Sequence, residues 1–216
     1  MNLKKVAIIY NDDLDMMQAD KQDIASWQGV VDTAEKVEAA LNAEGLSTVL
    51  IPLKNDIEGF VKTLKKENAD IIFNLCEGAM GKSAFEMNVA AILELFDFKF
   101  TGSGSLTLGL ALNKGMAKGM FHASNIPIVP YLVLKEVPSR LAKALRFPLM
   151  VKPVQEDASV GIGEDAVVKN IAGLKKRVDY ILKNYKQPAI VEEYIDGREF
   201  NIAIIGNYRP KALPVS

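Results

Sequence analysis

The chain has 216 residues, 49% apolar and 25% charged, with 26 basic against 27 acidic side chains and a formal charge of −1. This is the composition of a globular chain of one large or two small domains, and its charge balance predicts no basic face for nucleic acid. One cysteine, Cys76, excludes an internal disulfide framework, and no stretch approaches the roughly 18 apolar residues that cross a membrane, so a cytoplasmic protein without nucleic-acid or membrane partners is expected.

Lys4 and Lys5 precede a short apolar run, Val6 to Tyr10, which Asn11, Asp12 and Asp13 end too soon for a secretory leader. The run instead predicts a strand buried on both faces. Val30, Val31, Ala34, Val37, Ala40 and Leu41 recur at helical spacing until Gly45 stops the helix. Thr48–Pro52 reads as a second strand. Ile57, Phe60, Val61 and Leu64 mark a second helix, Asp70–Leu75 a third strand, and Phe85, Val89, Ile92, Leu93 and Phe96 a third helix. Such alternation predicts a parallel sheet with helices on both faces and a ligand region beyond the carboxyl ends of the strands, near Asn11–Asp13 and Cys76–Gly81.

The turn-rich stretch Phe100–Ser105 offers Ser103 or Ser105 as a helix cap, and one helix is expected from about Leu106 to Ala123. Asn125–Pro130 breaks it, which places a domain junction between residues 124 and 125. Beyond lie an extended run at Tyr131–Leu134, a strand Leu149–Pro153, a glycine-bearing loop from Val154 to Gly163 and a helix through Ala172, Leu174, Val178, Ile181 and Leu182. Strands are expected at Ala189–Ile195, at Glu199–Ile205 after the Asp196–Gly197 turn, and at Lys211–Val215.

Four local features carry chemistry. Lys152 at a strand end, followed by a loop of small residues, suits a polyphosphate, because a lysine point charge and loop N–H groups both meet phosphate oxygens. Lys114, in Asn113-Lys114-Gly115-Met116-Ala117-Lys118, can reach the same phosphates. The strand Ile190–Ile195 ends in Glu192 and Glu193, which can take an adenine edge through its amine. Glu199 can accept both hydroxyls of a ribose. Taken singly, the two lysine features read first as solvated lysines and the strand feature as a polar strand end. Cys76 reads as a small apolar core residue and His122 as structural. A nicotinamide-type dinucleotide site needs G-x-G-x-x-G after the first strand, and Tyr10-Asn11-Asp12-Asp13 supplies none.

In the order TGSG…NK…K, then PLMVKPVQEDASVGI, then VEEYIDGREFNIAIIG, from about Asp70 to Gly206, the chain resembles the ATP-grasp superfamily and, within it, the D-alanine–D-alanine ligases. The resemblance implies a Rossmann-like domain over residues 1–124, then the small α+β ATP-grasp subdomain from residue 125, with the large C-terminal subdomain mostly missing. It assigns Lys114 and Lys152 to ATP phosphates. Glu156, Ser159, Val160 and Gly161 fall to the loop over them, Glu192, Glu193, Tyr194 and Ile195 to adenine, and Glu199 to ribose. Ser159 is also the candidate for catalysis, and Glu77 and Gly78 for substrate contact. ATP and Mg2+ are the implied cofactors, with the metal ligands beyond residue 216 and none within the chain. The partners are a small-molecule carboxylate and an amine, amino acids among them, and a homodimer is compatible. The implied reaction passes through an acylphosphate, and this chain alone is expected to be inactive. The alternative is a non-catalytic nucleotide-binding module or a truncated remnant.

The substrate-facing positions depart from the family. Asn11–Met17 replaces a glycine-rich loop with its glutamate, Asn74-Leu75-Cys76-Glu77-Gly78 replaces a histidine–glycine pair, and Ala158 stands where a serine is usual. The ATP-facing positions match better, so D-alanine specificity does not follow from the resemblance.

Overall fold

The computed structural model describes residues 3–12, 21–141, 143–156 and 160–215, with residues 21–28 described by their backbone alone. Asp13–Met17 of the first loop therefore lie outside the described residues.

The first sheet is parallel, with strands β1 (Lys5–Asn11), β2 (Ser47–Leu53) and β3 (Ile71–Leu75) in the order β2-β1-β3. β1 is central, so both of its faces need cover. Val6 and Ile8 pack with Ala34, Val37 and Leu41 of helix α1 (Lys21–Ala43). Ala7 and Ile9 face the other way, toward Phe60 and Leu64 of α2 (Ile57–Glu67) and Val89 and Leu93 of α3 (Glu86–Leu95). That alternation is the period-two geometry of a strand. Each of the larger side chains, Val, Leu, Ile or Phe, contributes about 1.5–3 kcal/mol by leaving water. Phe100 extends the sheet through a parallel bridge to Ile72.

Local polar groups set the limits of these elements. The Asp56 carboxylate accepts from Gly59 N (2.8 Å) and caps α2, which Asn68 ends at φ 44°. Asp70 accepts from the N–H groups of Lys4 and Lys5, both at 2.9 Å, and fixes the start of β1 beside β3. These bonds hold the Asp70 carboxyl below the usual carboxylate range.

The stretch expected as one helix is two, α4 (Ser105–Leu112) and α5 (Lys114–Ala123). Asn113 adopts φ −83° and ψ 95°, outside the helical region, and its side chain accepts from Met116 N to cap α5. The asparagine thus does at mid-segment what asparagine does best at a helix start. Neither Ser103 nor Ser105 caps α4, whose N-cap is Gly104; Ser105 instead donates its hydroxyl and its N–H to Glu94.

The second sheet is antiparallel, formed by β4 (Tyr131–Leu134), β5 (Leu149–Pro153), β6 (Val167–Val168) and β7 (Ala189–Glu193) in the order β4-β7-β5-β6. Helix α6 (Ile171–Asn184), capped by Asn170, lays Leu174, Val178 and Ile181 on Leu149, Val151, Ala189 and Val191. The two-residue β6 was not expected from sequence. The strand expected over Glu199–Ile205 shrinks to β8 (Ile204–Ile205), paired with β9 (Lys211–Ala212). Phe200, Ile202 and Ile204 remain 52–65% exposed, and apolar alternation needs a covering layer before it becomes a strand.

Candidate functional site

The face of the second sheet turned away from α6 carries the chemistry. β5 pairs with β7 so that Met150 lies opposite Glu192 and Val151 opposite Val191. Lys152, two residues beyond Met150, shares the Glu192 face as its diagonal neighbour. β4 places Tyr131 opposite Glu192 on the other side. Helix α5 closes over this face, with Tyr131 donating its hydroxyl to Gly115 O (3.3 Å). Gly115 permits the approach, since a Cβ there would come within 2.9 Å of Val133 Cγ2.

Glu192 is the centre of the arrangement. Its side chain is 10% exposed, with Oε1 2.5 Å from Lys152 Nζ and Oε2 3.0 Å from Lys118 Nζ. Burial pushes the Glu192 carboxyl up, but hydrogen bonds from the two lysines outweigh it and the net direction is down. Lys118 also lies over the Tyr131 ring, 5.5 Å from its centroid. One carboxylate between two ammonium groups leaves a positive cluster on a partly buried face.

Lys114 stands beside this cluster at the start of α5. Its N–H donates to Val154 O (3.0 Å) and its Nζ donates to Glu156 O. The Glu156 carboxylate turns elsewhere, accepting from Ser83 Oγ (3.0 Å) and Gln187 Nε2 (2.7 Å). Gln187 in turn accepts from Gln155 N (2.7 Å). Glu156 therefore ties the loop after β5 to the loop after β3. Val160 and Gly161 lie in that same stretch, and Ser159 lies outside the described residues.

The structure thus brings Lys114, Lys152, Glu156 and Glu192 to one region. Glu193 is on the α6 face, where its carboxylate accepts from Arg146 N (2.9 Å). Tyr194 donates its N–H to Pro148 O (3.0 Å), while Ile195 and Glu199 are exposed in a segment that forms no strand. Glu77 and Gly78 sit at the end of β3, bound to Asn11. Its buried side chain accepts from Glu77 N (2.8 Å) and donates to Gly78 O (2.9 Å). Sequence reasoning missed Lys118 as a site residue, although i, i+4 spacing from Lys114 puts both lysines on one helix face. It gave no role to Ser83, Gln187 or Arg177, whose partners are distant in sequence. Among the described residues no group of three or more His, Cys, Asp or Glu could hold a metal ion. Among them, too, no helix is long and apolar enough to cross a membrane.

A parallel α/β sheet is thus followed by an antiparallel sheet whose lysines gather beside a loop. Residues 120–216 match the family model described as D-ala D-ala ligase C-terminus. The uncharacterized protein y4sG of Sinorhizobium fredii is 35% identical over 190 residues, 84% of this chain and 54% of that protein. The D-alanine–D-alanine ligase of Carboxydothermus hydrogenoformans is 30% identical over 191 residues, 85% of this chain and 58% of the enzyme. Among solved structures, the D-alanine–D-alanine ligase of Bacillus anthracis superposes with a TM-score of 0.73 at 21% identity, covering 98% of this chain and 63% of that one. Its complex with ATP gives 0.66 at 19% identity, covering 98% and 68%. The chain is thus similar to D-alanine–D-alanine ligases, and it spans about half the length of the relatives it matches.

Proposed function

We propose that this chain supplies the ATP-binding front part of an ATP-dependent carboxylate–amine ligase. In this reading residues 1–124 form the Rossmann-like domain and the chain from residue 125 the first part of the ATP-grasp domain. The observation that carries it is the cluster of Lys152, Lys118 and Glu192 beside Lys114. A triphosphate brings the negative charge that such a cluster lacks. Lys114 and Lys152 meet its oxygens, and the N–H groups of the loop from Glu156 to Gly161 complete the cradle. Glu192 and the backbone of the strand end from Glu193 to Ile195 take the adenine, and Glu199 the ribose. The ATP-bound relative supports the same ligand here.

The reaction has two steps. A carboxylate oxygen attacks the γ-phosphorus and ADP leaves, giving an acylphosphate. An amine nitrogen then attacks the acyl carbon, phosphate departs with the C–O electron pair, and the nitrogen loses a proton. The fixed cations stabilise charge on the transferred group. Because the chain spans about half of its relatives, completion of the site by residues outside these 216, divalent-cation ligands included, belongs to the proposal.

Calorimetric titration with ATP tests the assignment. Lys152→Ala and Glu199→Ala are each expected to weaken binding roughly ten- to hundredfold, the scale of one charge-assisted contact. Unchanged affinity in both variants rejects the site.

A further inference from the structure

Among the described residues Arg177 is a buried cation outside the lysine cluster. It lies on α6, its side chain 4% exposed, among the apolar residues that the helix packs on the sheet. A lone guanidinium does not enter such a core without partners. Its partners come from three separate places. Nε lies 3.5 Å from Val151 O, Nη2 donates to Gly161 O, and Nη1 pairs with Asp165 Oδ1 at 2.9 Å. The guanidinium also lies over the Tyr180 ring, 4.8 Å from its centroid.

Two of these partners matter for what precedes them. Val151 is the residue before Lys152, and Gly161 ends the stretch from Glu156 that follows it. Gly161 is itself closely held. Its φ is +71°, and a Cβ would lie 2.6 Å from Pro153 Cγ and 3.0 Å from Tyr185 Cζ. A planar fork with five donors can hold two carbonyls and a carboxylate in one fixed geometry, which a lysine cannot do.

We infer that Arg177 is a positioning residue for nucleotide phosphates: it fixes the strand that carries Lys152 relative to the backbone at Gly161, without touching the ligand. The inference rests on the ATP reading above and deepens it. Its signature is a selective loss. Disturbing the span between Lys152 and Gly161 weakens the grip on phosphates and leaves the nucleoside contacts on and after β7 unaffected.

The test compares ATP with adenosine on the same chain, ATP by calorimetry and adenosine by ligand-observed NMR. Arg177→Met keeps the aliphatic stem and removes the fork. It is expected to bind ATP about tenfold more weakly, the scale of one hydrogen bond from a charged group, with adenosine binding unchanged. Arg177→Lys is expected to recover only part of the loss. Because Arg177 is buried, Asp165→Asn is the second variant: the Asp165 side chain is 68% exposed, so its loss spares the core. It is expected to weaken ATP several-fold, again without affecting adenosine, and it decides the matter if Arg177→Met fails to fold. Equal losses of ATP and adenosine, or no loss of either, overturn the inference. A parent chain that binds no ATP overturns the underlying reading as well, whereas a parent that binds ATP and variants that match it overturn the inference alone.

Discussion

Removing the Glu192 carboxylate should cost stability out of proportion to its size. In Glu192→Ala two ammonium groups lose their shared counter-ion on a face where the lysine side chains are only 21% and 18% exposed. From the two ion-pair distances and the width of the carboxylate the ammonium groups are at most roughly 8 Å apart, and their repulsion at an effective dielectric of about 20 is at least about 2 kcal/mol. Each also loses a charge-assisted partner. Deleting one member of a buried ion pair typically costs about 3–5 kcal/mol, and the residual access of water to both lysines puts this case near 3 kcal/mol. That is a large part of the roughly 5–15 kcal/mol that holds a domain folded. The assay is urea unfolding followed by far-ultraviolet circular dichroism, comparing midpoints at constant slope. The contrasting variant is Glu192→Leu with Lys118→Met and Lys152→Met together, which removes all three charges. It is expected to be as stable as the parent or more so, while losing ATP binding. A loss below about 1 kcal/mol in Glu192→Ala would refute the reasoning, as would a triple variant as unstable as the single one.

Three further outcomes follow. The Glu192 carboxyl titrates below its ordinary value of 4.5 in the folded chain, so its contribution is fully present above that value and is lost as pH falls through the lowered one. Urea midpoints are therefore expected to fall on acidification below about pH 4.5, less steeply in Glu192→Gln, and an identical acid limb in both would contradict the assignment. Asn113→Ala removes the cap of α5, whose Oδ1 accepts from Met116 N at 3.1 Å, and is expected to cost about 1 kcal/mol and to weaken ATP binding through Lys114. Asn170→Ala removes the comparable cap of α6, where Gly173 N donates at 2.9 Å, and is expected to cost similar stability with ATP affinity retained.

The parallel sheet was legible because strands buried on both faces have an unmistakable composition. Val6–Tyr10 and Ile71–Leu75 could be read without knowing their neighbours. Asn113 was misread because its role is decided by two angles, and its residue type fits both a helix surface and a cap. The Glu199–Ile205 stretch was overread because strand formation depends on a partner, which local sequence does not contain. Lys152 and Glu192 were each legible as candidates, but their contact was not, since the register of β5 on β7 brings together residues forty positions apart. Lys118 was within reach of sequence reasoning through its spacing from Lys114. Arg177 was not, because three of its contacts are made with backbone or with a loop carboxylate rather than with a recognisable motif.

The bond from Ser83 Oγ to Glu156 joins the end of the first sheet to the stretch that follows Lys152. Its thermodynamic consequence is reciprocity. A molecule seated near Glu77 and Gly78 that favours one arrangement of the Ser83 loop changes the affinity of anything held beside Lys114 and Lys152. The second molecule then changes the affinity of the first by the same factor. Ligands held beside the two sheets would then be coupled in part through the Glu156 carboxylate.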